Sequence, residues 1–527
     1  MKPVNPLVGP LLTDFYQLSM AYAHWRAGRH EDRAVFELFF RRNPFGGEFT
    51  VFAGLEEVLR FVSDYHFTDE DIDYLRSIMP DCDPAFYHWL KSVDCSQIRI
   101  SSLREGTMAF PRIPLLVVEG PLGIAQLLET TMLALVNYAS LVATNAARFR
   151  LAAGKDKILL EFGLRRAQGP DGGLSASRYC YMGGFDATSN VLAGSLFGIP
   201  VKGTHAHSFV SSFSGLGDLH DRSIIDSQGN RRDFLQLVLA CREELGFTNT
   251  NEGELASFVA YAQAFPRGFL ALVDTYDTIK SGLPNFLIVA TALHRLGYRP
   301  LGIRLDSGDL AFLSKEARRM CRQVSERHGL PFERLTITAS NDLNEATLLS
   351  LNHQGHEIDT FGIGTHLVTC EAQPALGCVY KLVEVNGQPR IKLSQDVSKV
   401  TIPGRKEAYR LIGVEGHALV DLMIQQGEEP PVAGKRVLCR HPFDEARRAS
   451  VLPSRVIPLH HLVWDGEIRD MPSLEAIRAY VGEQLAQMRP DHLRPLNPTP
   501  YKVSVSDRLY NFVHTLWMQE APIEEIV

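Results

Sequence analysis

Seven consecutive residues, Gly203-Thr204-His205-Ala206-His207-Ser208-Phe209, concentrate more candidate chemistry than any other stretch of the sequence. An imidazole titrates near neutrality, so it can carry a proton, ligate a metal or accept a phosphoryl group. Two histidines at i and i+2 behind a threonine leave all three roles open. Further candidates stand directly after apolar runs. Residues 158–162 lead into Gly163-Leu164-Arg165-Arg166, and residues 269–273 into Asp274-Thr275-Tyr276-Asp277. Residues 301–305 lead into Asp306-Ser307-Gly308-Asp309, with Arg304 just inside the run. Residues 335–339 lead into Ser340-Asn341-Asp342, and residues 358–361 into Gly362-Ile363-Gly364-Thr365. The guanidinium forks of Arg165 and Arg166 suit phosphate oxygens. Gly362, Gly364 and Thr365, with Ser340 and Asn341, can line a phosphate cradle with backbone amides. Asp274 and Asp306 suit ribose hydroxyls and a hard divalent cation, Mg²⁺ or Mn²⁺. The plainer role for both aspartates is to cap the helices that follow.

These residues need elements that bring them together. The markers Asp274, Asp306, Ser340 and Gly362 are 32, 34 and 22 residues apart by subtraction. Helical patterns over residues 281–296, 310–328 and 344–352 separate them. Strands alternating with helices at that spacing imply parallel strands joined by right-handed crossovers, hence an α/β barrel or a doubly wound sheet. Ligands of such folds bind at the carboxyl ends of the strands. Carboxylates, guanidiniums and glycine amides would therefore converge on one mouth, a set that suits a phosphorylated sugar with a divalent ion.

The flanking thirds are mixed. Asp14-x-x-Gln17 reads as a capping pair for a helix through residue 25. Residues 34–41 read as a strand before the turn at Asn43-Pro44-Phe45-Gly46-Gly47, helices follow near 54–61 and 68–78, and strands at 97–100 and 115–118. Residues 123–143 form one long apolar helix. Residues 379–393 read as a hairpin around Asn386-Gly387, residues 400–470 as short strands, and residues 475–488 and 503–517 as helices.

The whole chain has 527 residues, 45% of them hydrophobic, which suffices for two or three domains or one barrel with additions. A formal net charge of −7 gives no basic bias toward nucleic acid. Eight cysteines without a C-x-x-C pair argue against a zinc site or disulfide framework and for free thiols in a reducing cytoplasm. The first residues lack a signal peptide's apolar stretch, and no uncharged apolar run reaches membrane-spanning length. No G-x-x-x-x-G-K-[ST] loop is present, so ATP cannot be held in the P-loop manner.

Several motifs together resemble the nicotinate phosphoribosyltransferase family. They are Leu11-Leu12-Thr13-Asp14-Phe15-Tyr16-Gln17, residues 39–47 (FFRRNPFGG), residues 161–169 (EFGLRRAQG), the 204–209 segment, the four strand-end motifs from Asp274 onward, Tyr380-Lys381-Leu382 and Lys392-Leu393-Ser394. They run in family order from about residue 11 to about residue 410, and the likeness is greatest to the long form found in animals. The resemblance implies a type II phosphoribosyltransferase fold, an irregular α/β barrel beside an open-faced α+β domain built from both chain ends. The divisions expected are residues 1–140, 141–370 and 371–527, with the barrel in the middle. It implies that nicotinate, phosphoribosyl pyrophosphate, ATP and water become nicotinate mononucleotide, pyrophosphate, ADP and phosphate, in NAD biosynthesis from nicotinate. It also implies a cytosolic homodimer with interfacial active sites, and no membrane or nucleic-acid partner.

Carried over residue by residue, the resemblance makes His207 the phosphorylated histidine, attacking the γ-phosphate of ATP as a nucleophile. His205 lies outside the matched pattern and reads as a neighbour. Thr204 would meet the nicotinate carboxylate or a phosphate. Phe162 and Arg304 would take the two faces of the pyridine ring. Tyr16 would reach nicotinate from the partner subunit. The alternatives are a nicotinamide-preferring relative, a decarboxylating quinolinate enzyme needing more basic residues, and a silent binder that has lost His207, Arg304 or the glycines. Thr204, in place of an acid, favours the carboxylate substrate, and all the named residues are present.

Overall fold

The structure, a computed structural model, describes residues 1–394 and 399–521. The chain divides into two compact units. One comprises Met1–Ala147, Met182–Gly184 and Cys370–Val527, and the other Arg148–Tyr181 and Phe185–Thr369.

The second unit carries the strand ends of interest. Its six-stranded sheet consists of β1 (Ile158–Glu161), β2 (Ala187–Thr188), β3 (Leu270–Leu272), β4 (Gly302–Leu305), β5 (Thr336–Ser340) and β6 (Thr360–Ile363), in the order β3-β4-β5-β6-β1-β2. Every pairing is parallel. Parallel strands are covered on both faces and read as continuous apolar runs. All four residues of β6 are buried accordingly. The register β4 to β5 requires Gly302, because a Cβ there would lie 1.9 Å from the Thr336 carbonyl oxygen. The fifth expected apolar run, residues 358–361, forms its strand two residues later, at Thr360–Ile363.

The crossover helices form where the periodicity puts them. Helix Leu283–Arg295 is buried at every position from Leu283 to Leu293. Helix Leu310–His328 is capped by Asp309, whose carboxylate accepts from Phe312 N–H, and ends at Gly329 in the left-handed region. Helix Glu345–Gln354 is capped by Asn344 through Thr347 N–H.

The first unit holds a six-stranded sheet drawn from both chain ends, in the order Gln388–Pro389, Cys378–Val385, Arg33–Phe40, Leu116–Pro121, Arg99–Leu103 and His460–Asp465. A second sheet is built from strands between Lys406 and Val505. Two buried ion pairs tie this unit. Lys406 Nζ lies 2.9 Å from Glu37 and also donates to the Ile402 and Gly404 carbonyls. The Arg410 fork meets Asp421 at 2.8 Å on both oxygens.

Several local expectations are corrected. Asp14 precedes helix Phe15–Arg26 but makes no side-chain cap; its carboxylate accepts from Thr130 Oγ1, and Gln17 donates to Glu129. The long apolar helix is two, Leu122–Leu127 and Glu129–Ala153. The hairpin turns at Asn386 (φ 50) and Gly387 (φ 73) as expected, but its return strand is only Gln388–Pro389, since proline cannot donate to a ladder. The last helix begins at Asp507, after a short strand Val503–Val505. All eight cysteines are free thiols and seven are buried. Among the described residues no helix is long and apolar enough to cross a membrane.

Candidate active site

A cavity of about 680 Å³ opens at the carboxyl ends of the parallel strands, lined among others by Phe162, Thr204, His207, Arg304, Asp306 and Ser340. β4 positions Arg304 next to its end. The guanidinium Nε donates to Ser340 Oγ at 2.7 Å, Nη1 to Thr204 Oγ1 at 3.5 Å, and Nη2 lies 3.4 Å from Asp306 Oδ1. Ser340 Oγ donates in turn to Asp306 Oδ1 at 2.7 Å. Two strand ends and the histidine segment therefore meet at one cation.

Arg304 Cζ lies 5.6 Å from the centre of the Phe162 ring, a direct cation–π contact. A flat ring held between the two would need roughly 7 Å, two contacts of about 3.5 Å each. The expected sandwich is thus closed here, and the pair must part to admit a base. Gly362 explains why Phe162 lies flat on β6: a Cβ at Gly362 would stand 2.5 Å from two carbons of that ring. Its role is the close approach of an aromatic, in addition to any exposed amide.

His207 is the first residue of the short helix His207–Ser211. Its Nδ1 pairs with Thr275 Oγ1 at 3.1 Å, and its Nε2 lies 3.7 Å from Asp306 Oδ2 and 4.0 Å from Asp274 Oδ1. The Asp274 side chain is 2% exposed. Its Oδ2 accepts from the Asp306 N–H (2.8 Å) and Ser307 Oγ (2.6 Å), whereas its buried Oδ1 has no hydrogen-bond partner among the described residues. Neither aspartate caps a helix. The caps fall to Asp277 and Asp309 three residues on, which leaves Asp306 to line the cavity and Asp274 buried directly behind it, bonded to the Asp306 N–H.

Arg165 and Arg166 lie on the single turn Leu164–Arg166, exposed at the cavity rim, with no carboxylate partner among the described residues. Asn341, Gly364 and Thr365 also line the cavity, Gly364 preceding the turn Thr365–Val368. Tyr16 belongs to the other unit, exposed on helix Phe15–Arg26.

Three contributors escaped the sequence reading. Thr275 partners His207 but is one hydroxyl among many. Glu161 ends β1 buried, accepting from the Gly163 N–H, Ser177 Oγ (2.8 Å) and Thr188 Oγ1 (2.5 Å). It fixes the turn that presents Phe162 and Arg165. An acid closing an apolar run was its only signal. His205, read as a bystander, is buried, and its Nε2 accepts from the Leu272 N–H at 3.3 Å. Burial pushes its pKa down to about 4, so the ring is neutral.

A parallel sheet whose strand ends gather an imidazole, two carboxylates and guanidiniums defines an α/β enzyme with an anion-handling site. Comparison with known proteins narrows the class. Models of the nicotinate phosphoribosyltransferase N-terminal domain, family and C-terminal domain match residues 11–137, 158–412 and 405–513. Nicotinate phosphoribosyltransferase of Dictyostelium discoideum is 57% identical over 536 residues, covering 100% of this chain and 91% of that protein. The Homo sapiens protein of the same name is 49% identical, with 97% of each chain covered. The crystal structure of human nicotinic acid phosphoribosyltransferase superposes with a TM-score of 0.87 at 46% identity, over 96% of this chain and 99% of that one. A nicotinate-nucleotide pyrophosphorylase from Pyrococcus furiosus shares the fold, with a TM-score of 0.60 at 21% identity. The chain belongs to the nicotinate phosphoribosyltransferase family.

Proposed function

We propose that this enzyme joins nicotinate to phosphoribosyl pyrophosphate, giving nicotinate mononucleotide and pyrophosphate for NAD biosynthesis, and that it couples the transfer to ATP hydrolysis through His207. The observation that carries the coupling is the seat of His207 between Thr275 and two carboxylates. Ionised carboxylates only accept, so Asp274 and Asp306 favour the tautomer with hydrogen on Nε2. Nδ1 then keeps its lone pair, toward which the Thr275 hydroxyl donates. That nitrogen attacks the γ-phosphorus of ATP, and ADP leaves with the bond pair. Water later releases phosphate from the phosphohistidine. The phosphoryl group adds a charge of about −1.5 to −2 at the mouth.

In the transfer step the nicotinate ring nitrogen bonds to ribose C1 as the C1–O bond breaks, and pyrophosphate departs with the pair. The nitrogen is nucleophilic at neutral pH, so no general base is needed. Catalysis is positioning and charge stabilisation. Arg304 and Phe162 part to take the pyridine ring, and the Arg304 fork and Thr204 hydroxyl suit its carboxylate. Arg165 and Arg166, without a carboxylate partner among the described residues, suit phosphate oxygens, as do the amides around Ser340, Asn341, Gly364 and Thr365. Asp274, whose Oδ1 has no hydrogen-bond partner among the described residues, and Asp306 would hold Mg²⁺ or Mn²⁺ together with substrate oxygens. Such an ion, when bound, neutralises phosphate charge.

The parallel sheet is read as an irregular barrel, the chain as a cytosolic protein and the assembly as a homodimer in which Tyr16 serves the partner's site. Exposed apolar residues support the dimer, Phe15 and Tyr16 on one unit and Val191, Leu192 and Leu196 on the other.

The test is product detection with phosphoribosyl pyrophosphate, Mg²⁺ and either base, with and without ATP. Nicotinate mononucleotide is expected from nicotinate only, faster with ATP. His207→Ala is expected to abolish ATP stimulation while ATP-independent transfer stays measurable. Full coupling in that variant would refute the phosphohistidine.

A further inference from the structure

The parallel sheet has two edges, and one short segment touches both. On β3 the alternation of amide directions is set by Val273, whose N–H donates to the Arg304 carbonyl of β4 at 3.1 Å. The Leu272 N–H therefore points the opposite way, toward the edge where, among the described residues, no strand pairs with β3. An edge amide left there, buried, would cost a hydrogen bond. His205 Nε2 accepts it at 3.3 Å. At the other edge, β2 is bridged in parallel by Val201 through Thr188. Thr188 N–H donates to the Pro200 carbonyl at 3.0 Å, and Lys202 N–H to the Thr188 carbonyl at 2.9 Å. Residues 200–205 thus begin bonded to one edge strand and end bonded to the other.

The ring of His205 is built in for this. It is 9% exposed and enclosed by aromatics, with Tyr261 edge-on at 4.7 Å and Phe209 at 5.4 Å between ring centres. A neutral imidazole can accept from an amide, and burial keeps it neutral. The bond reaches the chain two residues before Asp274 and three before Thr275, the groups that flank His207. Thr204, on the other side of His205, receives Arg304.

We infer that His205 is a positioning residue: its ring clasps the 200–207 segment to the edge of β3, and so holds His207 against Thr275 and the two aspartates and Thr204 against Arg304. The inference rests on the proposed role of His207 only in its kinetic arm.

Two substitutions separate the hydrogen bond from the packing. His205→Leu keeps bulk without an acceptor, whereas His205→Gln brings an amide oxygen to the reach of the ring nitrogen. The first measurement is hydrogen–deuterium exchange of the full-length enzyme, without substrates, over peptides covering residues 200–207 and 269–274. His205→Leu is expected to exchange there at least about tenfold faster than the wild type, with His205→Gln close to the wild type. The second is kinetic: His205→Leu is expected to raise KM for nicotinate and lose most ATP stimulation, and His205→Gln to recover both. If His205→Leu does not fold, His205→Asn, polar but one methylene too short, takes its place. Wild-type exchange and KM in the Leu or Asn variant would overturn the clasp. So would a Gln variant as impaired as Leu. Faster exchange rescued by Gln, in an enzyme that ATP never stimulates, would uphold the clasp and reject the His207 reading.

Discussion

Arg304 is the residue at which the cavity's parts are joined. One guanidinium binds Ser340, approaches Asp306, reaches Thr204 and rests on Phe162. A lysine keeps the charge but has a single nitrogen at its tip, so it cannot hold a fork of partners and also lie flat on a ring. Arg304→Lys is expected to lower kcat/KM for nicotinate about 10- to 100-fold, some 1.4–2.8 kcal/mol of transition-state stabilisation, with little change in thermal midpoint. Steady-state kinetics beside a melting curve checks this, and an unchanged KM would remove Arg304 from base recognition. Arg304 was legible from sequence because it stands inside an apolar run one residue from the carboxylate that closes it. The aspartates were legible only as candidates. Asp274 and Asp277, like Asp306 and Asp309, are spaced so that either could cap the next helix, and only the backbone path decides that the later one does. Thr275 and His205 gave no usable signal. Their importance lies in one contact each across 68 and 67 residues of chain, which no local pattern encodes.

At the scale of elements, the site depends on how closely β1 and β6 let the Phe162 ring approach. An added methyl at Gly362 would meet that ring at 2.5 Å and the Ser340 Cβ at 3.3 Å. Ser340 cannot yield without losing its bonds to Arg304 and Asp306, so the ring must move. Gly362→Ala is expected to cost about 1–3 kcal/mol of stability, as overpacking of a tight interior does, and to raise KM for nicotinate more than KM for phosphoribosyl pyrophosphate. Urea unfolding and the two KM values measure this, and equal rises in both would point to general disorder of the mouth. Five of the six strands were readable, since each is an apolar run closed by a polar or glycine residue, and the helices between them carry their periodicity and caps; the two-residue β2 is too short to leave a pattern. Their order was not. That β6 lies beside β1, 202 residues away by the pairing of Thr360 with Ile158, follows from how buried faces pack. The same holds for the 200–207 segment, whose regularity comes from two sheet edges rather than from its own composition. The break between Leu122–Leu127 and Glu129–Ala153 was hidden by continuous apolarity, which marks burial and not direction.

At the scale of the molecule, each unit holds a histidine that folding keeps neutral. His205 is one. His460, in the first unit, is the other: its Nε2 lies 2.7 Å from the Pro114 carbonyl and donates to it, and burial pushes its pKa down to about 4. The sign of the effect is set by which state binds the proton. In the unfolded chain both rings protonate near pH 6.5, in the folded chain near 4, so between those values the unfolded state carries the extra protons. The stability each ring allows is therefore complete above pH 6.5 and is lost as pH falls toward 4. For a single ring the loss is about 2 kcal/mol by pH 5 and about 3 kcal/mol at its limit. His460→Gln removes one titration while leaving an amide N–H to donate to Pro114. The urea midpoint of the wild type is expected to fall steeply from pH 6.5 to 4.5, and that of the variant to fall less, by roughly one proton's worth of slope. Parallel slopes would mean that His460 takes up its proton without unfolding, and would remove it from the acid sensitivity. His205 acts in the same direction, and its share is read at its own site. It should appear first as lost protection of the 200–207 segment, before the first unit unfolds.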